Sequence, residues 1–363
     1  MPPTVLVTSA GSGVGCAVVR ALRIATRHFR IIGLNSVALN PGAFQCDAAY
    51  LAPPTASGSF GPRLIKITNR ERPDLIIAGR DEDVPVLAEL RPQLEAFGST
   101  VPVPSVEAAG DCLDKARTSR VLPQGPGGFA RTACTPEDAL ALMAECGPPL
   151  IVKPTCGNAS RGVRILYTPE DITRAFADDA DIVAQEYLWP EERGRRPGCI
   201  TPRHVMNGHG PRQDNEYSVQ VLIGRDGGVL GMFASRNALC AGVPVTIETI
   251  RNDALERAAC NVAQALAVRG LRGPLNMQAI RTGPDVFTFF ELNARFTGIT
   301  ATRAAMGFRE VEALYGHFVD GDDIAELLHF QDGIISCRLM TDTIFTRDDL
   351  ERLNREQQWP RSS

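Results

Sequence analysis

Short apolar runs alternate with helix-like stretches through the first hundred residues, and this alternation restricts the architecture more than any other feature of the chain. Residues 5–8 are apolar. The glycine-rich turn Ser9-Ala10-Gly11-Ser12-Gly13-Val14-Gly15 follows, then a helical stretch to about residue 28. Residues 31–34, 75–79 and 101–104 read as further strands, with a helix over 84–97. Strands separated by helices pair in parallel, because a parallel partner needs a crossover connection. Such a sheet offers its ligand crevice at the carboxyl ends of the strands. Asn35, Ser36, Arg80, Asp81, Glu82 and Asp83 all fall there.

The next region has a different grain. A strand over 129–132 precedes Thr135-Pro136-Glu137-Asp138, and the same four residue types recur at Thr168-Pro169-Glu170-Asp171. Threonine as N-cap, proline at the first helical position and acids in the first turn open a helix at both places. Gly147 closes the first one. Strands are expected at 150–153, 163–167 and 181–187, giving a small α/β unit. Residues 189–214 then interrupt the pattern with prolines, glycines and arginines. A structureless stretch of that length is usually functional or disordered, and its place suggests a lid. Beyond it, residues 216–223 and 229–235 flank Gly224-Arg225-Asp226-Gly227-Gly228 as a hairpin. A strand over 243–250 follows, then a helix capped by Asn252 and running to about residue 268. A second hairpin spans 275–280 and 286–292. Two short helices, a strand near 334–340 and a polar helix and tail from about residue 347 complete the chain.

A length of 363 residues suits two or three domains. Hydrophobic residues at 44% and charged residues at 22% exclude disorder, collagen-like repeats and disulfide scaffolds. A net charge of −4 argues against a broad nucleic-acid footprint, which is usually basic. No apolar run is long enough to span a membrane, and the first residues read as a strand rather than a signal peptide. The scattered cysteines form no C-x-x-C pair, so free thiols in a reducing cytoplasm are expected. Only Lys66, Lys115 and Lys153 are lysines among 38 basic residues. A position that stays lysine in so arginine-rich a chain suggests a need for a compact ammonium.

The glycine turn at residues 9–15 admits two readings. Its glycines could let backbone N–H groups approach a dinucleotide phosphate, or they could simply make a tight strand–helix connection. Its G-x-G-x-G spacing and Asn35 in place of a ribose-binding acid depart from the dinucleotide fingerprint. A stronger signal is Leu150-Ile151-Val152-Lys153-Pro154 followed by Thr155-Cys156-Gly157-Asn158-Ala159-Ser160-Arg161-Gly162. A lysine ends a buried strand, where burial is costly without an anion, and a small-residue loop able to cover phosphates follows it. Lys115, after Asp114, offers a second charge.

The most informative segment is Phe289-Phe290-Glu291-Leu292-Asn293-Ala294-Arg295. Glu291 and Asn293 are two apart on a strand and share a face. Counting back through the turn puts Gln278 opposite position 289 or 291, with matching parity. One carboxylate and two amide oxygens suit Mg²⁺ shared with substrate phosphates, and Arg295 could hold transferring phosphate charge. Glu216 could bind ribose or metal or lie at the surface. Arg236 could bind phosphate or a carboxylate or be solvated. Cys199, His204 and His209 recur at fivefold spacing but lack a fourth metal ligand.

In order and spacing these residues resemble the ATP-grasp superfamily, most closely its carbamoyl-phosphate-synthase-like branch of carboxylate–amine ligases. The likeness spans roughly residues 3 to 340. Lys115, Lys153, Ser160, Arg161 and Gly162 look like the paired lysines and phosphate-covering loop. Gln185-Glu186-Tyr187-Leu188 resembles the hinge whose backbone reads adenine, Glu216 the acid-led strand, and Gln278, Glu291 and Asn293 the metal set. The resemblance implies an α/β (α+β grasp) fold. A Rossmann-like preATP-grasp domain (1–110) would precede a small ATP-grasp subdomain (111–187) and a C-terminal subdomain (188–345, with 189–214 inserted); 346–363 would be a polar tail. It implies ATP and Mg²⁺, with Mn²⁺ as a substitute, in amide formation through an acyl phosphate that releases ADP and phosphate. The substrates would be a small carboxylate and an amine of amino-acid type. Arg295 and Arg236 would be catalytic, and Arg80, Asp81, Glu82, Asp83 and Arg303 lie where substrate would bind. Neither nucleic acid nor a membrane is expected as a partner; a homodimer is common among relatives. Two other functions fit parts of the sequence: a nicotinamide-dependent oxidoreductase built on the glycine turn, and a nucleotide-binding module without catalysis.

Overall fold

The computed structural model describes residues 2–157, 162–191, 213–240, 242–339 and 341–360. Ser160, Arg161, Cys199, His204, His209 and residues 192–212 of the insertion lie outside the described residues. Three sheets organise the remainder.

The first sheet contains β1 (Thr4–Val7), β2 (Arg30–Asn35), β3 (Ala48–Leu51) and β4 (Leu75–Ile77), all parallel, in the order β3-β2-β1-β4. Alternate residues serve its two faces. Val5, Val7, Ile31 and Ile77 pack with Val18, Val19 and Leu22 of the helix Gly13–Arg23. Leu6, Ile32, Leu34 and Ile76 pack with Leu64 and Ile67 of Phe60–Glu71 and Leu87 of Asp83–Glu95. A sheet covered on both faces explains the unbroken apolar runs. The first helix ends at Arg23, short of the residue 28 expected. Residues 101–104 are buried but do not form the expected strand. Thr100 alone bridges Leu75, because Pro102 and Pro104 carry no N–H to extend the ladder.

The second sheet is small and antiparallel, with β5 (Thr132–Ala133), β6 (Leu150–Pro154), β7 (Arg164–Leu166) and β8 (Ile182–Glu186) in the order β5-β8-β6-β7. Its helices Pro136–Cys146 and Pro169–Asp178 begin as the repeated tetrapeptide requires. Thr135 caps through the Asp138 N–H, and Thr168 and Asp171 form a reciprocal capping box. Gly147 ends the first helix at φ +70°, a conformation that favours glycine.

The third sheet is antiparallel: β9 (Gln213–Ile223), β10 (Val229–Cys240), β11 (Val243–Thr249), β12 (Gly273–Gly283), β13 (Val286–Asn293) and β14 (Ile335–Cys337), ordered β13-β12-β9-β10-β11-β14. One face carries Val219, Val221, Leu275, Met277 and Ala279. It packs on Leu255, Ala259, Val262 and Leu266 of the helix Asp253–Val268, which Asn252 caps. The opposite face is polar. Glu291, Gln278, Ser218, Ser235 and Thr249 lie in register across five strands. Asn293, Asn276 and Gln220 form the next row.

The C-terminal residues do not stand apart as a tail. Phe345 stacks on Phe44, and the helix Arg347–Glu356 buries Leu353 completely. β15 (Gln358–Pro360) then adds to the first sheet antiparallel to β3. This closure lies beyond reach of local sequence, because Gln358 and Tyr50 are paired across most of the chain. Among the described residues no helix is long and apolar enough to cross a membrane, and the described cysteines are free thiols.

Leu353→Ala should therefore lower stability by about 2–4 kcal/mol, the usual range for a fully buried leucine, and should release β15. Hydrogen exchange is the check. Faster exchange at residues 48–51 is expected, and unchanged protection there would show that the C-terminal strand does not hold that edge.

Candidate functional site

Lys153 sits at the end of β6, where its ammonium donates to the Gln185 Oε1 at 2.7 Å and lies 4.8 Å from the centre of the Phe290 ring. Gln185, itself buried, donates onward to the Thr132 hydroxyl at 3.0 Å. Burial pushes the Lys153 ammonium down to about 8. The neighbouring Lys115 acts in the same direction, while Glu291 and Glu216 oppose it. Lys115 opens the helix Lys115–Val121. Its N–H donates to the Thr155 carbonyl at 2.9 Å and its ammonium to the Gly157 carbonyl at 3.1 Å. Lys115 thus reaches the loop that follows β6 and lies near enough to Lys153 to act on its charge, although the two are far apart in sequence. Gly162, at the end of that loop, has φ +72°, and a Cβ there would sit 2.9 Å from the Pro154 ring.

The large sheet supplies the facing wall. Gln278 pairs with Glu291, because a bulge at Phe290 shifts the register by one. The Asn293 amide donates to Glu291 at 3.3 Å. Glu216 is buried on the same polar face, bonded to Asn237 on the next strand. Burial first, and then the Glu291 charge, push its carboxyl up to about 8. The donors gathered here are one carboxylate and two amides, with a second carboxylate nearby. Among the described residues no group of three or more His, Cys, Asp or Glu side chains stands ready to hold a metal. An oxygen-only set with so few charges fits Mg²⁺ that completes its shell with phosphate and water.

Arg295 follows two residues after the end of β13. It donates to the Phe296 carbonyl at 2.9 Å and pairs with Asp81 at 2.7 Å, while its buried Nε has no partner among the described residues. In the hinge, Glu186 accepts from the Arg131 N–H at 2.9 Å and pairs with its guanidinium at 2.8 Å. The ring of Tyr187 meets that of Trp189 edge to face, and Leu188 is half-buried. Glu191, the last described residue before the gap, pairs with Arg281 at 2.8 Å.

Three expectations are corrected by the geometry, and one open alternative gains support. Arg236 pairs in register with Tyr217, so period two turns it to the face opposite Glu216 and Gln278; it donates to Asn215 at 3.0 Å. Asp83 is fully buried and accepts from Thr8 at 2.7 Å, Ser9 at 3.1 Å and Thr55 at 2.7 Å, so it braces the loop rather than meeting substrate. Arg303 is likewise buried. It donates through Nε to Glu310 at 2.7 Å and binds Thr297, Thr300 and Gln220, which fixes the turn after Arg295. In the glycine turn, Ser12 accepts from the Gly15 N–H at 2.8 Å and donates to the Gly79 carbonyl at 2.7 Å. A Cβ on Gly15 would lie 2.3 Å from the Ser9 carbonyl. Close packing thus explains the glycine, and Ser12 already satisfies a helix N-terminal donor that a phosphate would need. Arg80 and Glu82 are exposed on the same loop as Asp81.

Ser218, Gln220, Ser235, Asn237 and Asn276 escaped the sequence reading. The signal was available as polar residues at every second position, Glu216-x-Ser218-x-Gln220, Ser235-x-Asn237 and Asn276-x-Gln278, within otherwise apolar strands.

No family model matches the chain. It is 27% identical over 301 residues to the carbamoyl phosphate synthase large chain of Xylella fastidiosa (strain 9a5c), across 77% of this chain and 25% of that protein. It is 26% identical over 245 residues to the phosphoribosylamine–glycine ligase of Synechocystis sp., across 65% and 56%. The chain thus spans about a quarter of the length of the synthase large chain it matches. In structure it is similar to the biotin carboxylase–β-γ-ATP complex from Campylobacter jejuni, with a TM-score of 0.65 at 17% identity over 93% of this chain and 76% of that one. The carboxyaminoimidazole ribonucleotide synthase of Aspergillus clavatus complexed with ATP gives 0.64 at 14%, over 92% and 81%. With two neighbouring lysines, a glutamine–glutamate–asparagine set on a hairpin, and a parallel N-terminal sheet ahead of them, the chain is similar in sequence and in fold to these ATP-grasp proteins.

Proposed function

We propose that the protein is an ATP-dependent carboxylate–amine ligase that forms an amide through an acyl phosphate and releases ADP and phosphate. The observation that carries this reading is Lys153. It is a lysine whose charge burial disfavours, at a strand end and facing Glu291 and Glu216. A bound polyphosphate would supply the missing anion. Lys153 and Lys115 would hold the phosphates under the loop that includes Ser160, Arg161 and Gly162. The backbone of Gln185 to Leu188 would read adenine, since the Gln185 and Glu186 side chains already bond to Thr132 and Arg131. Gln278, Glu291 and Asn293 would hold Mg²⁺, which when bound neutralises phosphate charge and orients the phosphoryl group. Arg295 would stabilise charge on the phosphoryl group as it moves to the substrate carboxylate. An amine would then displace phosphate. No protein nucleophile is needed, and Ser12 in its capping role counts against the nicotinamide reading.

Small carboxylates and amines of amino-acid type are in keeping with the phosphoribosylamine–glycine ligase and D-alanine–D-alanine ligase to which the chain is similar. Residues 1–110, 111–187 and 188–345 would be the domains, in keeping with three sheets that share no strand pairing. Free thiols fit a reducing cytoplasm. A homodimer remains part of this reading.

Incubation with Mg-ATP and a mixed panel of amino acids and small carboxylic acids should yield substrate-dependent ADP and phosphate. Lys153→Ala and Glu291→Ala should each reduce that turnover by about a hundredfold or more, the scale for losing a preorganised electrostatic contact. AMP as product, or full turnover in either variant, would refute the assignment.

The Lys153 value also sets a pH dependence. Phosphate attraction needs the ammonium form, which is lost as pH rises through about 8. Mg-ATP affinity should therefore weaken between pH 7 and 9, measured by titration calorimetry. Lys153→Met should bind weakly at both values, with that pH dependence gone.

A further inference from the structure

The ion pair between Arg295 and Asp81 joins parts of the molecule separated by 214 positions. Arg295 follows β13, the strand that carries Glu291 and Asn293. Asp81 lies on the loop after β4, at the carboxyl end of the parallel N-terminal sheet. Both side chains are about nine-tenths buried, at 10% and 11% exposure. The loop carrying Asp81 is braced from beneath. Asp83 collects the hydroxyls of Thr8, Ser9 and Thr55, and Gly79 packs so closely that a Cβ would lie 2.0 Å from the Thr8 carbonyl. On the other side of the pair, Arg303 fixes the turn after Arg295 through Thr297 and Thr300. Of the Arg295 donor groups, one Nη binds Phe296, the other binds Asp81, and the buried Nε has no partner among the described residues.

We propose that Asp81 is a positioning residue: it holds the Arg295 guanidinium so that its free donors are aimed at the moving phosphoryl group. The N-terminal sheet thereby acts as a rigid bracket for the phosphoryl-transfer arginine. The inference rests on the ligase reading above, in which Arg295 meets that group. A long arginine loses much rotamer entropy when fixed, and a bracket already present in the ligand-free protein removes that penalty from the reaction. Asp81 makes no contact with substrate in this role, which distinguishes it from the substrate-binding role its place in the loop first suggested.

The test compares a ground-state ligand with a transition-state mimic and needs no knowledge of the substrate. The unmodified protein, Asp81→Ala, Asp81→Glu and Arg295→Lys are titrated with a non-hydrolysable Mg-ATP analogue and with Mg-ADP plus fluoroaluminate. Asp81→Ala should bind the analogue within about twofold of the parent and lose about tenfold for the fluoroaluminate complex, a factor equivalent to about 1.4 kcal/mol. Arg295→Lys should show the same pattern, because an ammonium lacks the planar fork. Asp81→Glu should recover most of the loss. Equal loss for both ligands would reveal a merely structural role and overturn the proposal. So would unaltered fluoroaluminate binding in Asp81→Ala. Failure of the unmodified protein to bind either ligand would instead overturn the ligase reading on which the proposal stands.

Discussion

Lys153 lies where an isolated cation is disfavoured, and the arrangement around it follows from that constraint. Among the described residues its ammonium has one hydrogen-bond partner, Gln185, and one aromatic face, Phe290. A second ammonium, Lys115, is close enough to lower its proton affinity further. Compensation comes from across the cleft, where Glu291 and Glu216 share the polar face of the large sheet. Burial first, and then the Glu291 charge, drive Glu216 toward its neutral form. Two lysines and two acids in partial balance make a site that a polyanion and a divalent cation together would complete. The basic groups come from the small sheet and the helix that Lys115 opens, and the acidic ones from the large sheet.

The N-terminal sheet has a different part. Its glycine turn packs against its own strands, and Ser12 occupies the helix N-terminus that a nucleotide would have used. What the sheet presents to the rest of the molecule is its β4 loop, stiffened by Asp83 and tied to Arg295 through Asp81. The C-terminal segment strengthens this link from the far side. It leaves the large sheet at β14 and ends as a strand on β3. The first sheet is therefore attached to the large sheet both through the Asp81 loop and through the chain's end.

Much of this was legible in the sequence where the governing physics is local. Thr135, Thr168 and Asn252 announced their helices because capping involves residues only three apart. The hairpin turn at residues 282–285 fixed Gln278 to within one register step of Glu291, and the bulge at Phe290 decided the step. Other features depended on distant partners. The strand Ala48–Leu51 was missed because alanine carries little strand signal and its pairing is non-local. Arg236 ends a run that looks like a site strand, but its orientation follows from pairing with Tyr217. Arg303 and Asp83 looked available for substrate until Glu310 and the hydroxyls of Thr8, Ser9 and Thr55 were seen to hold them. An ionisable residue near a strand end is a candidate by position, and only its partner decides between binding and bracing.

Equilibrium titration of the intact chain with Mg-ATP, with NADH as the comparison ligand, tests the central claim most directly. The charge arrangement at Lys153 predicts saturable Mg-ATP binding that weakens by about tenfold or more in Lys153→Ala and no saturable binding of NADH. Mg-ATP affinity left intact by Lys153→Ala, or NADH binding that displaces the nucleotide, would contradict it.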